Sequence, residues 1–168
     1  MTKELSSTLE DYLEAIFRLE TAKGFARVRD IAENLEVAKS AVTAAIQSLS
    51  SKGFINYEPY EPITLSEKGQ KKAEKIVLRH RIIENFLQKV LGIEYERAEA
   101  VACGMEHAID EDALQRFICF LAFLNQSPET GQEWLQDFRQ FLDEGAEGQS
   151  CKECVEAYKA TLHENTET

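Results

Sequence analysis

The chain has no run of about 18 apolar residues, so no helix crossing a membrane is expected. It has no basic-then-apolar leader either, and the expected location is the cytoplasm. Internal repeats and low-complexity segments are missing. Cysteines number only four, and in a reducing compartment they are expected as thiols open to metals rather than as disulfides. Positive charge is scarce: 19 Lys and Arg face 30 Asp and Glu, a net −11. Spread evenly, that deficit would argue against nucleic acid as a partner. It is not spread evenly. Residues 1–81 hold 13 Lys/Arg and 12 Asp/Glu, whereas residues 82–168 hold 6 and 18. The first half keeps Arg27, Arg29, Lys39 and Lys52 as candidates for a local basic face.

What is present is enough for a core. The chain is 43% hydrophobic, and 168 residues suit one large domain or two small ones. Ser7-Thr8-Leu9-Glu10 reads as a capping box ahead of Leu9, Tyr12, Leu13, Ile16, Phe17 and Leu19 at helical spacing. A helix over about 8–22 is expected, ended by Gly24. A short helix over 28–36 buries Ile31, Ala32 and Leu35. A turn at Val37-Ala38 leads into a helix over 39–51, with Val42, Ile46 and Leu49 inward and Gly53 closing it. Two short helices across so tight a turn form a helix-turn-helix. Phe54–Glu58 and Ile63–Leu65, around a turn with Pro59 and Pro62, read as a β-hairpin wing. The spacing predicts a winged helix-turn-helix within residues 1–74.

Ser66 caps a long helix to about Val90, of roughly 37 Å. Helices follow over about 95–108, 111–124 and 131–143. The last two carry Leu114, Phe117, Ile118, Phe120, Leu121, Phe123, Leu124, Trp134, Leu135, Phe138, Phe141 and Leu142. So apolar a helical region is expected to bury itself in a second copy of the chain. The fold class is therefore mainly α, with an all-α dimerisation and metal-binding domain over 75–144 and an acidic tail over 145–168.

Cys103, Glu106 and His107 carry the chemistry. Positions i, i+3 and i+4 share one face of a helix. A thiolate, a carboxylate and an imidazole there form a mixed donor set, better suited to Fe(II), Co(II) or Zn(II) than to Mg(II) or Ca(II). Asp11 and Glu14 on the first helix, His80 and Glu84 on the long helix, and Glu99 one turn before Cys103 are further donors. Each residue alone has an ordinary reading: a buried small thiol, solvated acids, hydrogen-bonded histidines. Cys151-x-x-Cys154 in the tail offers two thiolates for a second metal, Zn(II), with Cys119, His163 or a partner chain completing four ligands. Two tail cysteines without metal remain the plain alternative.

These stretches resemble the diphtheria-toxin-repressor family of metal-dependent transcription regulators. The likeness is carried by Leu9-Glu10-Asp11-Tyr12-Leu13-Glu14-Ala15-Ile16, Gly24-Phe25-Ala26-Arg27-Val28-Arg29-Asp30-Ile31-Ala32, Arg79-His80-Arg81 and Cys103-Gly104-Met105-Glu106-His107. The resemblance implies metal ligation by Asp11, Glu14, His80, Glu84, Glu99, Cys103, Glu106 and His107, a homodimer, and a palindromic double-stranded DNA operator. The iron branch resembles the chain at Cys103, Glu106 and His107 but has Met where Asp11 stands. The manganese branch resembles it at Asp11, Glu14 and His80 but has Glu where Cys103 stands. The thiolate leans toward Fe(II), with Mn(II) the alternative. The iron branch's SH3-like C-terminal domain is not expected, since about 24 residues follow position 144.

In the helix over 39–51, Lys39 and Ser40 suit phosphate, Thr43 and Gln47 face base edges, and Arg27 and Arg29 grip backbone. Two other functions use the same residues. One is a winged-helix regulator sensing redox state or an iron–sulfur cluster through Cys119, Cys151 and Cys154. The other is a metal-dependent hydrolase built on Cys103, Glu106 and His107, which would require an open coordination position and a substrate cleft.

Overall fold

A computed structural model describes residues 5–59, 61–126, 128–146, 155, 156, 158 and 159. The chain order is α1 (Ser7–Lys23), α2 (Val28–Asn34), α3 (Lys39–Ser51), β1 (Ile55–Asn56), β2 (Thr64–Leu65), α4 (Glu67–Lys89), α5 (Tyr95–Glu106), α6 (Glu111–Gln126) and α7 (Pro128–Ala146). Two compact units result: Met1–Ile83 with Ala102–Ile109, and Glu84–Val101 with Asp110–Thr168.

In the first unit, α1 starts one residue earlier than its capping box implied. Ser6 is the N-cap, and its Oγ accepts from the Leu9 amide at 3.3 Å. Glu10 does not close a capping box; its side chain is wholly buried and paired elsewhere. Gly24 ends the helix at φ 82°, its N–H bonded to the Glu20 carbonyl at 2.7 Å. α2 stops at Asn34, and Glu36 takes the left-handed conformation (φ 54°) that swings the chain into α3.

Leu13 and Ile16 of α1 share one core with Ile31 of α2, Val42, Ile46 and Leu49 of α3, and Phe54, Ile63, Ala73 and Ile76. Each of the large aliphatic side chains among them contributes on the order of 2 kcal/mol by burial. The wing is antiparallel, with Ile55 opposite Leu65 and Asn56 opposite Thr64. A further bridge joins Ala26 to Ile63, and Glu20 Oε2 accepts from the Leu65 amide at 2.8 Å. The wing is thereby tied to the end of α1.

Ser66 caps α4 as expected: its Oγ accepts from the Gly69 amide at 3.0 Å and donates to the Gly53 carbonyl at 2.7 Å. Gly69 is required there, because a Cβ would lie 1.8 Å from the Phe54 carbonyl oxygen.

In the second unit, Phe86 meets Phe117 with ring centroids 4.6 Å apart, and Trp134 stacks on Phe138 at 5.8 Å. Arg139 donates to the Lys89 carbonyl at 2.9 Å. α7 begins at Pro128, about three residues before the expected start, which fits proline's tolerance for a first helical position. Phe123, Trp134 and Phe141 stay 54%, 47% and 44% exposed. No described helix is long and apolar enough to cross a membrane. Cys151, Cys154 and His163 lie outside the described residues.

Candidate metal centre and nucleic-acid interface

Within the first unit, α1, α4 and the end of α5 converge on one polar cluster, in which Glu14, His80 and Glu106 are buried, Asp11 is half-buried and Cys103 is exposed. Two donor sets form, each with its ligand atoms within 4.8 Å of one another: Asp11, Cys103 and Glu106, and Glu14, His80 and Glu106. Glu106 belongs to both. The helix-face argument predicted Cys103 and Glu106 together, and α5 delivers both. It did not anticipate that α5 ends at Glu106. His107 therefore stands in the following turn, where its Nε2 lies 2.7 Å from Asp11 Oδ1 and 3.3 Å from Glu106 Oε1.

The residue types fit a divalent cation. Glu106 is wholly buried, and its Oε1 has no hydrogen-bond partner. A buried carboxylate oxygen left that way is costly unless a cation or donor reaches it. Its other oxygen, Oε2, contacts His80 Nδ1 at 2.8 Å, and that ring is buried too. Burial pushes the Glu106 carboxyl above its ordinary range, and the Glu106 hydrogen bond raises the His80 imidazole. Burial likewise pushes the Cys103 thiol up, with the neighbouring acids adding to it. Protons and a cation thus compete for the same ligand atoms, so cation binding and proton release are linked.

The protein's own cations lie around the cluster. Arg18 donates from Nη2 to Glu14 Oε1 at 2.7 Å and from Nε at 3.1 Å. Arg79 Nη1 donates to the Glu106 carbonyl at 3.2 Å. Lys72 Nζ lies 2.7 Å from Glu10 Oε1. Sequence reasoning missed Glu10 because its spacing from Ser7 mimicked a capping box. The signal available was an acid lying beside Leu9 and Leu13 on the buried side of α1. Glu84 and Glu99 belong to the second unit, where Glu84 Oε1 accepts from Gln88 Nε2 at 2.8 Å.

The recognition-helix candidates divide. Lys39, Ser40 and Gln47 are exposed on α3, between the buried positions Val42, Ile46 and Leu49. Thr43 Oγ1 is bonded to the Lys39 carbonyl at 2.9 Å, which occupies its donor. Arg27 lies over the Phe25 ring at 5.1 Å, and Arg29 Nε is bonded to Glu33 at 2.7 Å. Arg29 is thereby partly neutralised at the surface.

Residues 4–63 match the family model of the iron-dependent repressor N-terminal DNA-binding domain, and residues 66–135 match that of the iron-dependent repressor metal-binding and dimerisation domain. The chain is 41% identical over 109 residues to the HTH-type transcriptional regulator MntR of Shouchella clausii, covering 65% of this chain and 76% of that protein. Among solved structures it resembles IdeR of T. acidophilum (TM-score 0.62, 32% identity, 67% of this chain and 53% of that one). It also resembles a manganese-dependent transcriptional repressor in complex with manganese (TM-score 0.60, 28% identity, 68% and 53%). The chain spans about half the length of these solved structures. Two adjoining family models that account for nearly all of residues 4–135, and a curated relative matched over three quarters of its length, leave one reading of the ancestry: the chain belongs to the iron-dependent repressor family of metal-binding, DNA-binding transcription regulators.

Proposed function

We propose that the chain is a cytoplasmic, homodimeric repressor that Fe(II) switches into its DNA-binding form, so that metal-homeostasis genes are silenced when the metal is plentiful. Mn(II) is the second reading, favoured by the carboxylates Asp11, Glu14 and Glu106. The observation that carries the proposal is Glu106, a buried carboxylate that belongs to both donor sets and whose Oε1 makes no hydrogen bond. The Cys103 thiol in one of those sets inclines the choice toward Fe(II) over Mn(II).

In this reading Asp11, Glu14, His80, Cys103, Glu106 and His107 hold the metal; Glu84 and Glu99, expected as further donors, belong to the second unit. A divalent cation supplies the positive charge that offsets repulsion among these acids. Asp11 and Glu14 stand on α1, and α1 shares its core with α3 and binds the wing through Glu20. Fixing α1 against His80 and Glu106 therefore fixes α3. In a dimer, that sets the separation of two recognition helices facing a palindromic operator with half-sites about one helical turn, or a multiple, apart. Lys39 and Ser40 contact phosphate, Gln47 reaches base edges, and Arg27 and Arg29 steady the backbone. Because metal favours the DNA-binding form, DNA raises metal affinity by the same factor. Residues 1–74 read DNA, 75–144 bind metal and dimerise, and Cys151 and Cys154 in the tail offer a Zn(II) site. The family consists of DNA-binding regulators rather than enzymes, so the hydrolase reading is dropped.

The test is an anaerobic titration with Fe(II), Mn(II) and Zn(II) separately, reading binding to DNA fragments selected from a random pool by the metal-loaded protein. Cys103→Ala should abolish the Fe(II)-dependent binding while leaving the fold intact. Unchanged DNA affinity in that variant would refute the site.

A further inference from the structure

We infer that Lys72, Glu10 and His107 form a positioning relay that holds the His107 ring with its Nε2 facing the metal cluster. The inference rests on the metal-sensor reading and adds residues to it. Glu10 is wholly buried, on the side of α1 that also carries Leu13. An apolar side chain would suit that place better, because burying an ion pair commonly costs more than its attraction returns. The reason for a carboxylate must therefore lie in its partners.

Those partners stand against its two oxygens, an ammonium ion pair at Oε1 and a ring nitrogen at Oε2. Lys72 Nζ of α4 lies 2.7 Å from Oε1, and His107 Nδ1 lies 3.0 Å from Oε2. With its oxygens so engaged, Glu10 acts on the ring rather than as a ligand. The contact of Nδ1 with Glu10 turns Nε2 toward Asp11 Oδ1 at 2.7 Å and Glu106 Oε1 at 3.3 Å. Metal-binding histidines are commonly oriented by a carboxylate on their other nitrogen, and losing that partner typically costs metal affinity. Here the ring needs such a restraint more than most, because His107 stands beyond the end of α5 and the helix does not fix its direction. Lys72 balances the Glu10 charge, so the metal meets the ligands' charge without an added buried anion.

The experiment uses Co(II), whose visible absorption reports ligand geometry, with the full-length chain and its Glu10→Gln and Lys72→Met variants. Glu33→Gln, at an exposed pair on α2, serves as control. Circular dichroism checks folding, and calorimetry gives affinity. Glu10→Gln is expected to weaken Co(II) binding about 10- to 100-fold and to alter the visible spectrum. Lys72→Met should weaken it in the same direction by less, and the control should match the parent. Folded variants binding Co(II) within threefold of the parent, with its spectrum, would overturn the relay while leaving the sensor reading standing. A parent chain that binds no Co(II) would overturn both. Should Glu10→Gln lose its helical signal, Lys72→Met decides by the same criteria.

Discussion

The two compact units differ in how they finish their cores. In the first, Leu13, Ile16, Ile31, Ile46, Leu49, Phe54, Ile63 and Ile76 are all essentially closed to water, and the buried Glu14, His80 and Glu106 are gathered into one polar cluster. In the second, α6 and α7 close only Leu114 and Leu124 among their large aliphatic side chains, and leave Phe123, Trp134 and Phe141 about half exposed. One unit is complete as a single chain. The other presents the apolar area that a dimerisation domain keeps for its second copy, in agreement with the family model covering residues 66–135. The contrast separates two jobs: reading DNA and holding metal need rigid, finished surroundings, whereas association needs unfinished ones.

Several substitutions test that contrast. Gly69→Ala has the largest expected effect. Its Cβ would collide with the Phe54 carbonyl at the joint between wing and α4, destabilising the first unit by about 3 kcal/mol or more. Chemical denaturation followed by circular dichroism measures it, and near-parental stability would mean the joint yields easily. Trp134→Glu comes next. It should weaken self-association by about 2 kcal/mol in sedimentation equilibrium while the monomer stays helical, since a large exposed aromatic at an interface centre is the usual anchor. An unchanged dimer would move the interface away from α7.

Ser66→Ala removes the cap on α4 and the tie to Gly53, at a cost of about 1 kcal/mol read as a lower melting temperature. Lys39→Ala is the mildest. It should leave stability unaltered and shallow the salt dependence of DNA binding by about one unit, measured by fluorescence anisotropy across salt concentrations. A slope equal to the parent's would remove Lys39 from the phosphate contacts.

Much of the first unit was legible because its signals are local. Leu13, Ile16, Val42, Ile46 and Leu49 are apolar residues at helical spacing, Gly24 and Gly53 sit at positive φ, and α3 spans Lys39–Ser51 as its pattern implied. Cys103 and Glu106 were readable as a pair because three residues along a helix place side chains together. The signals failed where two meanings share one spelling. Ser7-x-x-Glu10 spelled a capping box, yet Ser6 caps the helix and Glu10 turns inward to Lys72 and His107. His107 continued a helical face on paper, yet α5 stops one residue before it.

Sequence alone pointed to the family, the order of helices and the hairpin wing and put forward the candidate donors, because backbone periodicity and side-chain chemistry act over a few neighbours. Tertiary structure alone decided that Asp11 and Glu14, some ninety residues from Glu106, share that carboxylate between two donor sets, and that Glu10 belongs with His107. Those pairings depend on how α1, α4 and the end of α5 pack, and no spacing along the chain encodes a distance between helices so far apart in sequence.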